Sequence, residues 1–442
     1  MLISKLEDKR VLVYGAGREG LSAIKLIHNI FPEKQIALYD DRADLSKTEV
    51  SAVLVKELSF DYDVIIKSPG VSYYGEFFQN AIKQGITITS GTNIFLADIL
   101  SHARRPKLIG ITGTKGKSTT SSLVYHFLTA LSKKVVLAGN IGVPLLDVFG
   151  KVYDHDYVVI EMSSFQAADL AYPLDVACLN NLHSEHLDWH LNTENYHRDK
   201  VNIFLLKKLG GDKFPGVAIL NKLDTNSQNF AAQIKNITYF NVVDAMHVKE
   251  QDIYDGDKLI IHGENIKLLG EHNLSNLAGV ATILKVCGED LSIMNKTISS
   301  FNSLKHRLEP VCEKDGITFV DDSISTTPIA VISALKVFKD KPTTILIGGY
   351  ERGQVFTEVV QVLASLEKVK VICMPDTGKR IYEALKEIAP ERTFFAESMS
   401  TAVQKAKAIT PQGGVVLLSP SAPSFNAYKN YEERGEDFKR NI

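Results

Sequence analysis

Short runs of aliphatic and β-branched residues recur along the chain, separated by stretches whose apolar positions fall three or four apart. That alternation is the pattern of βαβ units building a parallel sheet. In a first block, "RVLVYG", "QIALYD", "DVIIKSPG" and "GITITSG" predict strands, and "GLSAIKLIHNIF" predicts a helix between the first two. The polar, basic stretch "SHARRPK" leads into a second block, with "LIGITGT", "KVVLAGN", "YVVIEMSS", "DVACLNNL" and "GVAILN" as strands. After "FNSLKHRLE" a third block supplies "ITFVDDS", "TTILIGGY", "VKVICMP" and "GGVVLLSP". Three α/β domains are expected, over residues 1–97, 98–304 and 305–442. No internal repeat or low-complexity tract interrupts them.

The bulk properties agree with this division and remove some classes of function. At roughly 100 to 200 residues per domain, 442 residues suit two to four domains. A formal net charge of -2 and a pI near 6.6, with scattered Lys and Arg, provide no basic field for nucleic acid. Cys178, Cys287, Cys312 and Cys373 lie far apart without CxxC spacing, which indicates neither a zinc knuckle nor a disulfide framework. The opening "MLISKLEDKRVLVYGAGREG" carries charges where a signal peptide has an apolar core, and no apolar run approaches the ~20 residues of a membrane helix. A soluble cytoplasmic protein without membrane insertion is expected, and a monomer.

Two glycine patterns carry the chemistry. In "KLIGITGTKGKSTTSSLV" an apolar strand pattern runs into a glycine loop and a helical pattern leaves it. Five residues separate Gly110 from Gly116, one more than the Walker loop allows. The context is still that of a phosphate loop: backbone N–H groups from Gly113 through Thr114, Lys115 and Gly116 to Lys117 can wrap phosphate oxygens at a helix start. Lys117 would hold the β- and γ-phosphates, Ser118 would coordinate Mg2+, and Thr119 follows in the same turn. A P-loop type of central ATPase domain is therefore expected between two Rossmann-like ones. The second pattern, "VLVYGAGREG", sets Gly15, Gly17 and Gly20 after a strand, with Asp40 closing the next strand. That is the dinucleotide fingerprint, and its backbone geometry accepts any nucleotide diphosphate. An NAD-dependent dehydrogenase would explain it but would leave the ATP loop idle. A non-catalytic nucleotide-binding regulator would explain only the loop.

Seven segments in order, "GITGTKGKST", "GNIGVPL", "IEMSSFQ", "HLDWH" with "YHRDK", "GEHNLSNLAG", "HRLE" and "VDDS", resemble the Mur ligases, ATP-dependent enzymes that assemble the peptidoglycan stem peptide. The likeness spans essentially the whole chain. The ending "LLSPSAPSFNAYKNYEERGEDF" is similar to the glutamate-adding branch, and the DNPR tetrapeptide of the diaminopimelate-adding branch is absent. The resemblance implies ATP and two Mg2+ sites, with UDP-N-acetylmuramoyl-L-alanine and glutamate as substrates, D-glutamate by the family's usual habit. The nucleotide-sugar's carboxylate would attack the γ-phosphate, giving an acyl phosphate that the incoming amine opens.

The same resemblance assigns residues. Glu161 and Ser118 match metal ligands, His186 matches a ligand of the second metal, and Lys200 matches a lysine the family carbamylates. Carbamylation needs a neutral amine, so burial must depress the pKa of Lys200. Asn140 and His186 would face the acyl phosphate, with Ser163 and Gln166 lining the nucleotide-sugar channel. Asn273, Asn276, Arg307 and Asp322 are implied on the ATP side. For the nucleotide sugar, Gly15, Gly17, Arg18, Glu19, Asp40, Asp41, Arg42, Ser68 and Gly70 are implied; for the amino acid, Thr326, Arg352, Ser424 and Tyr431.

The chain departs from the pattern at the amino-acid pocket. It reads "DDSISTTP", with Ile324 where a lysine often stands, and "GGYER", with Arg352 in place of a glutamate-binding lysine. Arg can clamp a carboxylate through a forked geometry that Lys cannot make. An acidic amino acid is still implied, and the alternative is that the pocket takes L-glutamate, as in another branch of the family. A folylpolyglutamate-type ligase, lacking a "GAGREG" domain, is the more distant alternative.

Overall fold

The computed structural model describes residues 1–41, 51–206 and 215–442. They form three α/β layers distributed over two compact units: Met1–Ile266 with His272–Ser299, and Lys267–Glu271 with Ser300–Ile442. The first unit contains two sheets. In the first, the strands run in the order Val53–Leu54, Ile36–Tyr39, Val11–Tyr14, Val64–Lys67, Thr87–Thr89, all parallel. The chain builds outward on one side of Val11–Tyr14 and then crosses back to build on the other. That reversal leaves a crevice at the carboxyl ends of Val11–Tyr14 and Val64–Lys67, the switch point where open α/β sheets take ligands. Gly15 and Ser68 follow those two strands directly.

The second sheet has nine strands. At its centre Lys107–Thr112 pairs in parallel with Tyr157–Glu161 on one side and Val176–Leu179 on the other, and Val135–Gly139 lies beyond Tyr157–Glu161. Lys107–Thr112, Tyr157–Glu161 and Val176–Leu179 are buried on both faces, which explains their near-continuous apolar runs. Register sets Ile111 against Glu161, so the carboxylate ends its strand beside the start of the glycine loop. Past Val217–Asn221 and Ile237–Phe240 the sheet finishes in an antiparallel meander, Met246–Lys249, Asp252–Asp255 and Lys258–Ile261.

The second unit holds the third sheet, ordered Glu309–Lys314, Ile317–Asp321, Val415–Leu418, Thr343–Ile347, Val369–Cys373, Thr393–Phe395. It is parallel except for the antiparallel edge Glu309–Lys314. Apolar clusters fill both of its faces, one around Val331, Ile345 and Leu363, the other around Phe319, Val403 and Phe438. Among the described residues no helix is long and apolar enough to cross a membrane.

Every strand run expected from the sequence is a strand here. The strands not expected are partly exposed: Val53–Leu54 is an exposed edge piece, Glu309–Lys314 is exposed or half-buried throughout, and Ile237–Phe240, Met246–Lys249, Asp252–Asp255, Lys258–Ile261 and Thr393–Phe395 mix exposed or half-buried positions with buried ones. Such strands face water and carry little of the hydrophobic signal that reveals a buried one.

Candidate active site

The glycine loop leaves the strand Lys107–Thr112 and ends at the helix Lys117–Ala130, whose N-cap is Gly116 in the left-handed region with φ of 81°. No side chain caps this helix, so its first N–H groups face the loop, ready for an anion. A Cβ on Gly116 would fall 2.4 Å from Asn276 Oδ1, so only glycine fits. Asn276 in turn donates to Asn273 Oδ1 over 3.1 Å, and both are buried. The structure thus brings these two expected asparagines against the loop itself. Lys117 Nζ donates to the Gly113 and Thr114 carbonyls at 2.8 and 3.0 Å. Thr114 is anchored below through the Tyr196 hydroxyl at 2.8 Å and the His183 N–H at 2.9 Å. Ser118 is half-buried in the first helical turn, followed by buried Thr119. Lys115 is exposed and pairs with Glu185 over 2.7 Å, which gives the extra loop charge a partner beside His186.

Next to the loop lies a buried carboxylate. Glu161 is fully buried; its Oε1 takes a hydrogen bond from Asn140 Nδ2 at 2.5 Å, whereas its Oε2 has no hydrogen-bond partner among the described residues. A sealed carboxylate oxygen without a partner is costly, and a hard divalent cation is the group whose ligand it would suit. Lys200 is buried in the helix Thr193–Val201, with Nζ 3.0 Å from the Gly113 carbonyl and 5.1 Å from the Tyr196 ring. Burial, and then the neighbouring Lys117 charge, hold its pKa well below the usual lysine range. His186 is half-exposed, has φ of 56° at the start of the helix Leu187–His190, and packs against Phe165. Burial lowers its pKa against the pull of Glu185. Lys117, Glu161, Asn140, Lys200 and His186 are thus supplied by the loop and by the segments packed around it.

The expected nucleotide-sugar residues cluster at the switch point of the first sheet. Asp40 accepts from the Ala16 N–H at 2.7 Å and Ser68 Oγ donates to the Gly15 carbonyl at 2.8 Å, closing the turn from both sides. A Cβ on Gly15 would lie 2.6 Å from Ser68 Cβ, and one on Gly20 would lie 1.9 Å from the Gly15 carbonyl oxygen. At Gly17 and Gly70 the space is open, so a ligand can approach the backbone there. Arg18 reaches the Asn140 and Gly142 carbonyls, both at 3.4 Å. Gln166 bridges the two sheets: its Oε1 accepts from the Ser163 N–H in a capping box, and its Nε2 donates to Glu19 Oε1 at 2.7 Å. Burial pushes the Glu19 carboxyl up to about 7, against Lys67 nearby. Asp41 follows Asp40 at the strand end, and Arg42 lies outside the described residues.

In the second unit, Arg434 is the residue the sequence reading missed. It is buried, and its guanidinium donates to the Ser323 hydroxyl and carbonyl and to the carbonyls of Ala422 and Pro423. It thereby binds the segment before Thr326 to the one carrying Ser424, and Ser323 Oγ fixes the Tyr431 carbonyl at 2.7 Å. Arg352 is exposed on the loop after Gly349, where Glu351 pairs with Arg380. Asp322 is buried, accepting from Ser419 Oγ at 2.8 Å and the Leu308 N–H at 3.2 Å, and burial raises its pKa to about 6. Arg307 is half-buried, with an Nε that has no hydrogen-bond partner among the described residues.

An uncapped helix start behind a glycine loop, with an under-bonded carboxylate and a depressed lysine beside it, defines a nucleotide-phosphate-using α/β enzyme. Residues 111–284 match the Mur ligase middle domain, and residues 306–422 match the family described as Mur ligase, glutamate ligase domain. The chain belongs to the Mur ligases, the ATP-dependent amide ligases. It is 34% identical to a UDP-N-acetylmuramoyl-L-alanine–L-glutamate ligase of Xanthomonas euvesicatoria pv. vesicatoria, over 99% of this chain and 96% of the relative. It is likewise 34% identical to an enzyme of the same name from a Micromonospora species, over 99% and 97%. Among solved structures the MurF ligase of Thermotoga maritima in complex with ADP superposes with a TM-score of 0.63 at 17% identity, covering 99% of this chain and 96% of that one. At that identity the agreement is one of fold.

Proposed function

We propose that this enzyme joins the amine of L-glutamate to the alanyl carboxylate of UDP-N-acetylmuramoyl-L-alanine at the expense of ATP. The observation carrying this reading is the identity to L-glutamate ligases along nearly the full length of both chains. The L-isomer, which the sequence left as the alternative, thus takes precedence over the family's usual D-isomer.

In this reading the loop from Gly113 to Thr119 holds ATP, with Lys117 turned from its carbonyl partners onto the β- and γ-phosphates. Glu161 suits one Mg2+, through its unpartnered Oε2 and together with Ser118. Lys200, as a carbamate, and His186 would serve a second. Bound magnesium supplies charge neutralisation on the phosphates. Asn140 orients Glu161 from one side. The turn closed by Asp40 and Ser68 receives the diphosphate of the nucleotide sugar, and Arg352, Thr326, Ser424 and Tyr431 are assigned to glutamate. The alanyl carboxylate attacks the γ-phosphorus, ADP leaves, and the glutamate amine then displaces phosphate from the acyl carbon, losing a proton. The domain division at 97/98 and 304/305, a monomeric state and a cytoplasmic location complete the proposal.

Phosphate release tests it. With all three substrates present, release is expected to be continuous, and omission of either UDP-N-acetylmuramoyl-L-alanine or glutamate should abolish steady turnover. Release that ignores both acceptors would mark an ATPase of another kind.

A further inference from the structure

The segment after the strand Val64–Lys67 is fastened to the stretch carrying His186 and Lys200. Trp189 Nε1 donates to the Pro69 carbonyl over 3.1 Å, and Ser72 Oγ donates to the Trp189 carbonyl over 2.7 Å. Lys67 Nζ lies 5.4 Å from the centre of the Trp189 ring. The Tyr74 hydroxyl lies 3.0 and 3.1 Å from the two carboxylate oxygens of Asp199. Asp199 carries the chain of contacts inward, because its Oδ2 also meets His190 Nδ1, while His190 Nε2 lies 2.9 Å from Ser164 Oγ. The side chains of His190 and Asp199 are 0% exposed.

Serine, histidine and aspartate in this order mimic a hydrolytic triad. Ser164, however, is 2% exposed and held in the first turn of the helix Ser164–Ala167, so its hydroxyl has no path to a substrate. What the chain of contacts does is mechanical. Asp199 immediately precedes Lys200 on one helix, and His190 lies one helical turn after His186. A carboxylate with no access to water depends on each of its donors. Lifting the segment 68–74 would take the Tyr74 hydroxyl from Asp199, so the seated segment and the placement of Lys200 stabilise each other.

We infer that Tyr74, Asp199 and His190 are positioning residues that make the placement of Lys200 and His186 depend on the seating of the segment 68–74 against them. The inference rests on the proposed reading, in which Ser68 and Gly70 touch the nucleotide sugar. A nucleotide sugar favouring the seated segment then favours the phosphate-side geometry, and the coupling is reciprocal. Trp189, the only tryptophan of the chain, stands at the junction and reports on it.

The test is Tyr74→Phe, which keeps the ring at its 6.0 Å edge contact with Trp189 and removes only the donor. Three results are expected: kcat for phosphate release falls about tenfold, KM for UDP-N-acetylmuramoyl-L-alanine stays within about threefold, and adding Asp199→Asn to Tyr74→Phe costs less than the two separate losses multiplied. The change in Trp189 emission on adding the nucleotide sugar, recorded without ATP or metal, should shrink in Tyr74→Phe. A kcat within twofold of wild type, or a raised KM with kcat unchanged, would overturn the inference. Lys200→Ala measured alongside separates the failures. If it is fully active, the phosphate-side reading falls and takes the inference with it; if it is inactive while Tyr74→Phe keeps its kcat, the inference alone falls.

Discussion

Lys200 Nζ donates to the Gly113 carbonyl over 3.0 Å, joining a buried lysine to the first residue of the phosphate loop. With its pKa held well below the ordinary range, this amine has a neutral form that can take up CO2. Lys200→Ala is expected to lower kcat by about 10- to 100-fold or more, the scale seen when support of a metal site is removed. Added formate or acetate should restore part of the activity by standing in for the carbamate. Full activity of the alanine variant without additive would rule the carbamate out.

Lys117 Nζ donates to the Gly113 and Thr114 carbonyls of its own loop, contacts made within the loop rather than to the core. Lys117→Ala should therefore abolish phosphate release while moving Tm by no more than about 3 °C, small on the scale of core substitutions. Near-normal turnover would refute the loop assignment.

Glu19 gives a pH signature. Its carboxyl, raised from 4.5 to about 7, favours the folded state when protonated; that contribution is complete below about 4.5 and is lost as pH rises through about 7. Glu19→Gln keeps an acceptor for Gln166 without the ionisation. Its Tm should exceed that of wild type by a margin that grows from pH 5 to pH 8, worth at most about 3.5 kcal/mol at about 1.4 kcal/mol per pKa unit. A margin independent of pH would show that Glu19 titrates normally.

Arg352 tests the amino-acid pocket. If its guanidinium clamps a glutamate carboxylate, Arg352→Lys keeps the charge but loses the fork, and Arg352→Ala loses both. Glutamate KM should rise in that order, by on the order of ten- to a hundred-fold for alanine at ~1.5 to 3 kcal/mol for a charged hydrogen bond. KM for ATP and for the nucleotide sugar should stay nearly constant. No change in either variant would make Arg352 a bystander.

The reach of the sequence followed physical lines. Strands such as Val11–Tyr14 and Lys107–Thr112 are buried, so their apolar runs betray them, whereas exposed Val53–Leu54 pairs through backbone alone. In the site, loop residues and strand-end acids are read locally: Gly116, Lys117 and Glu161 owe their places to a turn and a register. Tyr74 and Asp199 stand 125 residues apart and Ser323 and Arg434 stand 111 apart. Each pair meets only because separate elements fold together, and nothing near either residue announces its partner. Lys115 and Glu185, 70 residues apart, likewise pair only once the fold sets them side by side.

The proposed ligation of L-glutamate is decided by kcat/KM for phosphate release with UDP-N-acetylmuramoyl-L-alanine and ATP, taken separately with L-glutamate and D-glutamate. The L-isomer is expected to exceed the D-isomer by at least about tenfold, a difference of about 1.4 kcal/mol in transition-state stabilisation. Preference for the D-isomer would overturn the stereochemical assignment, and turnover with neither would overturn the proposed glutamate ligation itself.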